Sequence, residues 1–287
     1  MRVAVVLSTY NQPQLLEKAL WGYSAQTHRD FEVVIADDGS ASSTAEVVNR
    51  MRRETQLEIH HVWHEDRGFR KCAILNRAIL ATTCEYLIFS DGDCVPRSDF
   101  VAAHVRNAAP RRFLSGGYLK LSEAVSERVT RETILRGIAF QPGWLRSQGW
   151  RPGRRALRLH TGLLAPLLDR LTPTRATWNG HNASTWREAL LRVNGLDVEM
   201  GYGGEDRALG ERLCNLGYRG VQIRYRAPCL HLYHEQPYID RDVVRANMRT
   251  REVIRRQRRV VTARGIINLH GTLDPDNRPS VRQGPSN

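Results

Sequence analysis

Three apolar runs in the first third of the chain each end abruptly in a polar or acidic cluster. Val3–Leu7 runs into Ser8-Thr9-Tyr10-Asn11, Phe31–Ala36 into Asp37-Asp38-Gly39-Ser40, and Glu85–Ser90 into Asp91-Gly92-Asp93. Short continuous apolar runs bounded by turn residues read as strands buried on both faces. Helical spacing fills the gaps. Leu15, Leu16, Ala19, Leu20 and Tyr23 share a face over Pro13–Gln26, a second helix is expected over Thr44–Arg53, and Ala73, Leu75, Ala78 and Ile79 give a third over Phe69–Ala81. Leu57–Trp63 reads as a further strand with mixed patterning. Strands alternating with helices imply an α/β fold, with a mostly parallel central sheet flanked by helices. In such sheets ligands bind beyond the carboxyl ends of the strands, so the three clusters should form one rim of a nucleotide-like site. No strand leads into a phosphate-binding glycine loop with Lys-Ser/Thr, or into a Gly-x-Gly-x-x-Gly turn, which argues against a P-loop or dinucleotide fold.

Two further features carry chemistry. Asp91 and Asp93 flank one small residue, and alternation puts residues two apart on one side. Two unpaired carboxylates repel, and a divalent cation with oxygen ligands makes them compatible. The plain alternative is a solvated strand-to-loop turn, because Asp-Gly is common turn chemistry. Farther on, Gly203-Gly204-Glu205-Asp206 opens a helix in which Leu209, Leu213 and Leu216 share a face and Gly217 closes the end. A carboxylate fixed there beside a cleft could serve as general base for a sugar hydroxyl, with glycines letting backbone approach a ligand. Simple capping of the helix is the competing explanation. His231 and His234, in an extended segment, should face opposite ways, so one of them reaches a metal while the other packs. Carboxylates with an imidazole suit Mn²⁺ and tolerate Mg²⁺.

The formal net charge of +13, largely arginine, points to acidic partners: nucleic acid, anionic lipid or phosphorylated substrates. The excess lies mainly after Arg146 and in Arg241–Arg264. Five cysteines without paired spacing suggest reduced thiols in a cytoplasmic protein and argue against a zinc ribbon. Met1–Leu7 is too short for a signal peptide and reads as core strand. No apolar run approaches the ~20 residues of a membrane span. The middle, Ser122 to Thr177, is less regular. Its tryptophans, with the leucines and arginines of Leu157–Leu171, fit either an interfacial segment against anionic lipid or a core helix with a solvated basic face. A helix over Thr185–Val193 and a strand over Val221–Tyr225 are expected next, then a basic helical segment over Arg241–Arg264.

The order and spacing of these motifs over Arg2–His234 carry a family resemblance. Val3–Asn11, Asp37-Asp38-Gly39-Ser40 and Asp91-Gly92-Asp93 resemble the nucleotide-sugar half of family 2 glycosyltransferases, which have the A-type glycosyltransferase fold. Gly203-Gly204-Glu205-Asp206 with the later His-x-x-His is similar to the acceptor half of β-1,4-galactosyltransferases and bacterial chondroitin-type polymerases. The resemblance implies a Rossmann-like nucleotide-sugar half at 1–122, a helical insertion at 123–177 for acceptor or membrane contact, and an acceptor-binding and catalytic-base half at 178–240. A basic helical extension at 241–272 and a disordered tail at 273–287 would follow. It implies that Thr9, Tyr10, Asn11, Asp38, Arg70 and Asp91 bind the nucleotide sugar. Asp93 and His234, with Asp91, would bind Mn²⁺ or Mg²⁺. Asp206 would be the catalytic base, and Tyr202, Gly204, Glu205 and Asn182 would contact the acceptor. Two positions depart from the family pattern: Leu75 stands where many relatives have arginine before the asparagine (Asn76), and Tyr202 where tryptophan is frequent. The implied activity is metal-dependent, inverting transfer from a nucleotide-diphosphate sugar, most naturally a UDP-sugar, to a glycan or lipid-linked acceptor in surface polysaccharide or lipopolysaccharide synthesis. It would take place in the cytoplasm or at the inner face of the plasma membrane, without nucleic acid. The alternatives are a nucleotidyltransferase, which would need a glycine-rich loop that Thr9-Tyr10-Asn11-Gln12 does not offer, and a nucleic-acid-binding protein, suggested by charge alone.

Overall fold

The computed structural model describes residues 1–159, 162, 164–235 and 240–267, the side chain of Arg154 excepted. The tail expected at 273–287 and the end of the basic extension lie outside the described residues. Strand and helix alternate through β1 (Val3–Thr9), α1 (Pro13–Ser24), β2 (Glu32–Asp37), α2 (Ser42–Glu54), β3 (Glu58–Trp63), α3 (Lys71–Ala81) and β4 (Tyr86–Asp91). These four strands are parallel in the order β3-β2-β1-β4, with Leu7 opposite Ile35 on one side and Ser90 on the other. Chain order reverses between β1 and β4, which is where a doubly wound sheet opens its ligand crevice. Alternation along β1 feeds two cores: Val3, Val5 and Leu7 pack on one face of the sheet, Ala4 and Val6 on the other. The mixed pattern of β3 reflects its place at the sheet edge, where only Ile59 and Val62 are buried.

The chain then runs through β5 (Cys94–Pro96), α4 (Phe100–Asn107), β6 (Arg112–Ser115) and β7 (Gly117–Lys120). Short helices follow: α5 (Glu123–Arg128), α6 (Arg131–Leu135), α7 (Pro142–Ser147) and α8 (Leu164–Leu171). Last come β8 (Asn182–Trp186), α9 (Arg187–Arg192), α10 (Glu205–Asn215), β9 (Arg219–Gln222), β10 (Pro228–His231) and α11 (Arg241–Arg256). The main sheet continues β4-β8-β6-β9, with β8 antiparallel to both β4 and β6, and β5-β10-β7 form a second small sheet. Thus β6 and β7, from before residue 122, pair with strands from after residue 178, and the two sequence halves share both sheets.

Three expectations for secondary structure need correction. The helix expected from Thr185 begins only at Arg187, because Ser184 and Thr185 belong to β8. Their polar side chains concealed a core strand: Ser184 bonds the Tyr86 hydroxyl (2.8 Å) and His104 Nδ1 (2.7 Å), and Thr185 donates to the Arg112 carbonyl. The strand expected at Val221–Tyr225 starts earlier, at Arg219. The basic segment is helical only to Arg256. No helix among the described residues is long and apolar enough to cross a membrane.

Candidate active site

A cavity of about 800 Å³ lies over the carboxyl ends of β1 and β4 and extends to the start of α10. Thr9, Tyr10, Asn11, Asp38, Asp91, Asp93, Tyr202, Gly204, Glu205, Asp206 and His234 all line it. Residues far apart in the chain, from Ser8 to Glu235, therefore face one space.

On the β1 side, the wall is held by loop-to-loop bonds. Asn11, at φ 49°, donates its backbone N–H to Ser40 Oγ (2.8 Å), and its side-chain oxygen accepts from Ala41 N (2.9 Å). Tyr10 is half exposed, with its hydroxyl donating to Asp66 (2.8 Å). Asp38 lines the cavity with both carboxylate oxygens engaged, one by His64 Nε2 (2.7 Å), the other by the Arg70 backbone N–H (2.9 Å). This fixes the orientation of the carboxylate while leaving lone pairs to address a ligand.

The two carboxylates at and just beyond the end of β4 have different partners. Asp91 accepts from Lys71 Nζ (2.7 Å) and Ser8 Oγ (2.6 Å). Burial alone would raise the Asp91 carboxyl, but the Lys71 charge and these hydrogen bonds outweigh it and hold it well below the usual range. Lys71, likewise enclosed, would be pushed down by burial; the charges of Asp91 and Glu205 reverse this and keep it protonated. Asp93 faces His234, with Nε2 at 2.7 Å, and His231, with Nε2 at 3.6 Å. The hydrogen bond to Asp93 raises the His234 imidazole. The two histidine rings stack 16° apart, which corrects the expectation that they face opposite ways. Regular strand ends at His231, so the period of two no longer governs His234.

At the far wall, Gly203 and Gly204 adopt φ 104° and 101°, left-handed values that favour glycine. A Cβ on Gly203 would stand 2.8 Å from Val244, and one on Gly204 3.2 Å from Arg251. The glycines thus admit α11 from behind as well as lining the cavity. Glu205 is buried and accepts from the Gly203 N–H (2.7 Å). Asp206 accepts from the N–H groups of Arg207 (2.6 Å) and Gly180 (3.2 Å). Burial raises both carboxyls, and for Glu205 the Asp206 charge adds to the effect. Raised carboxyls beside a cleft are suited to taking a proton.

Two expected site residues do not line the cavity. Arg70 sits at the N-cap of α3 with its guanidinium donating to the Glu65 carbonyl, and only its backbone meets Asp38. The neighbouring Lys71 lines the cavity instead. Asn182 is fully buried in β8 and ties three elements: its amide donates to the Gly117 (2.9 Å) and Ala227 (2.7 Å) carbonyls, and its oxygen meets His104. With every polar atom used inside the protein, it has nothing left for an acceptor.

Lys71, Tyr118, Lys120 and His181 line the cavity without having been anticipated. Lys71 left one readable signal, since a cation at the first position of a helix opposes the dipole unless an anion compensates it. His181 is pushed down to about 4 by burial.

The residues fit a divalent cation. Asp93 Oδ1 is buried without a hydrogen-bond partner, while Oδ2 meets two imidazoles. An unsatisfied buried carboxylate oxygen beside imidazole nitrogen is the donor set that Mn²⁺ and Mg²⁺ accept. Cys94 Sγ lies within 4.8 Å of the Asp93 and His231 ligand atoms, but burial drives its thiol well up, so it offers no thiolate.

Residues 4–146 match the family model described as Glycosyl transferase family 2. The chain is 31% identical over 226 residues to a validoxylamine A glucosyltransferase of Streptomyces hygroscopicus subsp. jinggangensis, an alignment covering 74% of this chain and 51% of that protein. It is 26% identical over 261 residues to a chondroitin synthase of Escherichia coli, covering 82% of this chain and 35% of that one. The chain therefore spans about half or less of the length of these curated relatives. Two solved structures share the fold. A mannosyltransferase from Pyrobaculum calidifontis in complex with GDP-Man and Mn²⁺ superposes with TM-score 0.55 at 22% identity, over 83% of this chain and 58% of that one. S. aureus TarS 1-349 in complex with UDP-GlcNAc gives 0.57 at 16% identity, over 96% and 74%.

Proposed function

The chain belongs to glycosyl transferase family 2, and from that premise we propose that it moves a sugar, with inversion, from a nucleotide-diphosphate donor to an acceptor hydroxyl. The observation that carries this reading is the single cavity joining Asp91 and Asp93 at the end of β4 to Glu205 and Asp206 at the start of α10. A UDP-sugar is the favoured donor, its base and ribose resting against Thr9, Tyr10, Asn11 and Asp38. Mn²⁺ or Mg²⁺ held by Asp93 and His234, with Asp91 alongside, would supply Lewis-acid neutralisation of the diphosphate. Lys71 adds a fixed positive charge where the leaving group gathers negative charge.

Asp206 takes the acceptor proton, its carboxylate oriented by the Gly180 and Arg207 N–H groups. Glu205, locked onto Gly203, shapes the acceptor side with Tyr202 and Gly204. One base without a second nucleophilic carboxylate in the role of attacking group favours a single displacement. The acceptor is a glycan or lipid-linked sugar in surface polysaccharide assembly. Contact with an anionic membrane is supported by Leu164, Leu167 and Leu171, exposed on α8 beside Arg170. Co-sedimentation with anionic but not neutral vesicles tests that part; indifference to lipid charge discards it. The central test is a panel of nucleotide sugars with Mn²⁺, scored for nucleotide release with and without glycan acceptors. Turnover of at least one donor is expected. Failure of every donor both to bind and to turn over would overturn the reading.

A further inference from the structure

Beyond the catalytic cavity, β7 borders a second hollow of about 360 Å³, lined by Leu119, Lys120, Trp150, Arg151, Gly153 and Arg155. Lys120 lines both spaces. Tyr118, two residues earlier on the same side of the strand, lines the catalytic cavity with its ring 4.6 Å from that of His181. His231 also meets that ring, at 5.6 Å between centroids, while the Arg155 guanidinium lies 4.9 Å from its centre and that of Arg158 5.9 Å. The two spaces thus meet at Tyr118 and Lys120.

The hollow is strongly cationic. Among the described residues no carboxylate lies within ion-pair distance of Lys120, Arg151 or Arg155, whereas Lys71, the other lysine lining the catalytic cavity, is paired with Asp91. Arg158 is partly enclosed here, pushed down first by burial and then by the charges of Arg224 and Arg155. Cations gathered against one another without counter-charges store repulsion that a bound anion would relieve. Arginine forks match phosphate and carboxylate oxygens, and the Trp150 ring offers the flat apolar surface against which a sugar face packs.

We infer that this hollow is an acceptor subsite for an anionic glycan, whose phosphate or carboxylate would lie in the hollow while the reacting hydroxyl reaches the adjoining catalytic cavity. The inference rests on the glycosyltransferase reading above and adds the acceptor class to it. The mixed set of Arg151, Arg155 and Lys120 recognises either anion, so the test carries both.

Calorimetric titrations are run on the full chain with UDP and Mn²⁺ already bound, so that the diphosphate pocket is filled. The probes are methyl β-glucuronide, glucose 6-phosphate, methyl β-glucoside and inorganic phosphate. Both charged sugars, or one of them, should bind about tenfold or more tighter than the neutral glucoside, the difference expected of charge-assisted hydrogen bonds. Which charged sugar binds tighter separates carboxylate from phosphate. An Arg151→Gln/Arg155→Gln chain should lose that preference while binding UDP as before, which shows it folded. Equal affinity for charged and neutral sugars, or inorganic phosphate binding as tightly as any sugar, overturns the subsite. If UDP itself fails to bind the unaltered chain, the glycosyltransferase reading falls first, and that outcome is read separately.

Discussion

Asp206 sits where burial raises its affinity for a proton, while two backbone N–H groups partly counter that effect. A general base works deprotonated, so turnover should fall as pH drops through this raised value. The acid limb of kcat/KM should therefore lie at higher pH than an exposed aspartate would give. Asp206→Asn should cut transfer by about 10²-fold or more, the usual worth of a positioned base, with UDP affinity nearly unchanged. Asp93→Ala should do the reverse at the binding step, removing the gain in UDP affinity that Mn²⁺ confers, as chelation does for the unaltered chain. Initial rates paired with UDP titrations, with and without Mn²⁺, separate the two. Wild-type turnover in Asp206→Asn, or an intact Mn²⁺ effect in Asp93→Ala, would reassign the residue concerned. Lys71 belongs at this scale too, as the cation whose charge reconciles Asp91 with Glu205.

The element that most alters the picture is α11, which the sequence marked only as a basic extension. Its Asn247 is buried and donates to the carbonyls of Gly201 (2.8 Å) and Gly203 (3.2 Å), and Arg251 and Arg255 both reach Glu211 on α10. The helix clamps the loop that carries Glu205 and Asp206. Asn247→Ala leaves two carbonyls without this donor, at a cost of about 1–3 kcal/mol in stability. It should lower kcat several-fold while the UDP dissociation constant stays put, because the residues proposed to hold the donor lie across the cavity; equal loss in both would make Asn247 a general fold residue only. This role was not legible because Asn247 is one polar residue in an arginine-rich run, and its partners lie more than forty positions away. The parallel half of the sheet was legible, since β1, β2 and β4 carry continuous apolar runs that stop at polar or acidic ends, and α1 and α3 carry apolar residues at helical spacing. Strand β8 escaped notice because Asn182, Ser184 and Thr185 are polar residues buried at 0% exposure, where pattern reading expects apolar ones. Of the site, the acids could be read from their strand and helix ends, and His231 and His234 as candidate metal ligands. The pairing of Lys71 with Asp91 and the stacking of the two histidines could not be read, because tertiary approach places them.

At the scale of the whole molecule, the polar interior that joins the sheet's two halves makes stability depend on pH. His104 on α4 is fully buried between Ser184 (2.7 Å) and Asn182 (3.0 Å), and burial pushes its imidazole down to about 3. In the unfolded chain it titrates near 6.5. Between those values the unfolded state binds a proton that the folded state refuses, so stability rises with pH through this window and is lost as pH falls from about 6.5 toward 3. The slope from this one group can reach about 1.4 kcal/mol per pH unit. Carboxylates titrate in the same range, so the contribution has to be isolated by difference. His104→Gln keeps a neutral hydrogen-bonding side chain that cannot charge. It should be less stable than the natural chain at pH 7, where its fit is imperfect, and the gap should narrow steadily as pH is lowered. Urea unfolding midpoints for both chains from pH 7 to pH 4.5 measure that gap. Because the bonds of His104 hold β8 against α4, and Gly180, which donates to Asp206, leads directly into β8 beside β4, the same measurement reports how firmly the sheet supports the wall behind Asp206. Parallel stability curves for the two chains would mean that His104 takes up a proton in the fold as readily as in the unfolded chain, and that the interior between the two halves is wetter than its packing indicates.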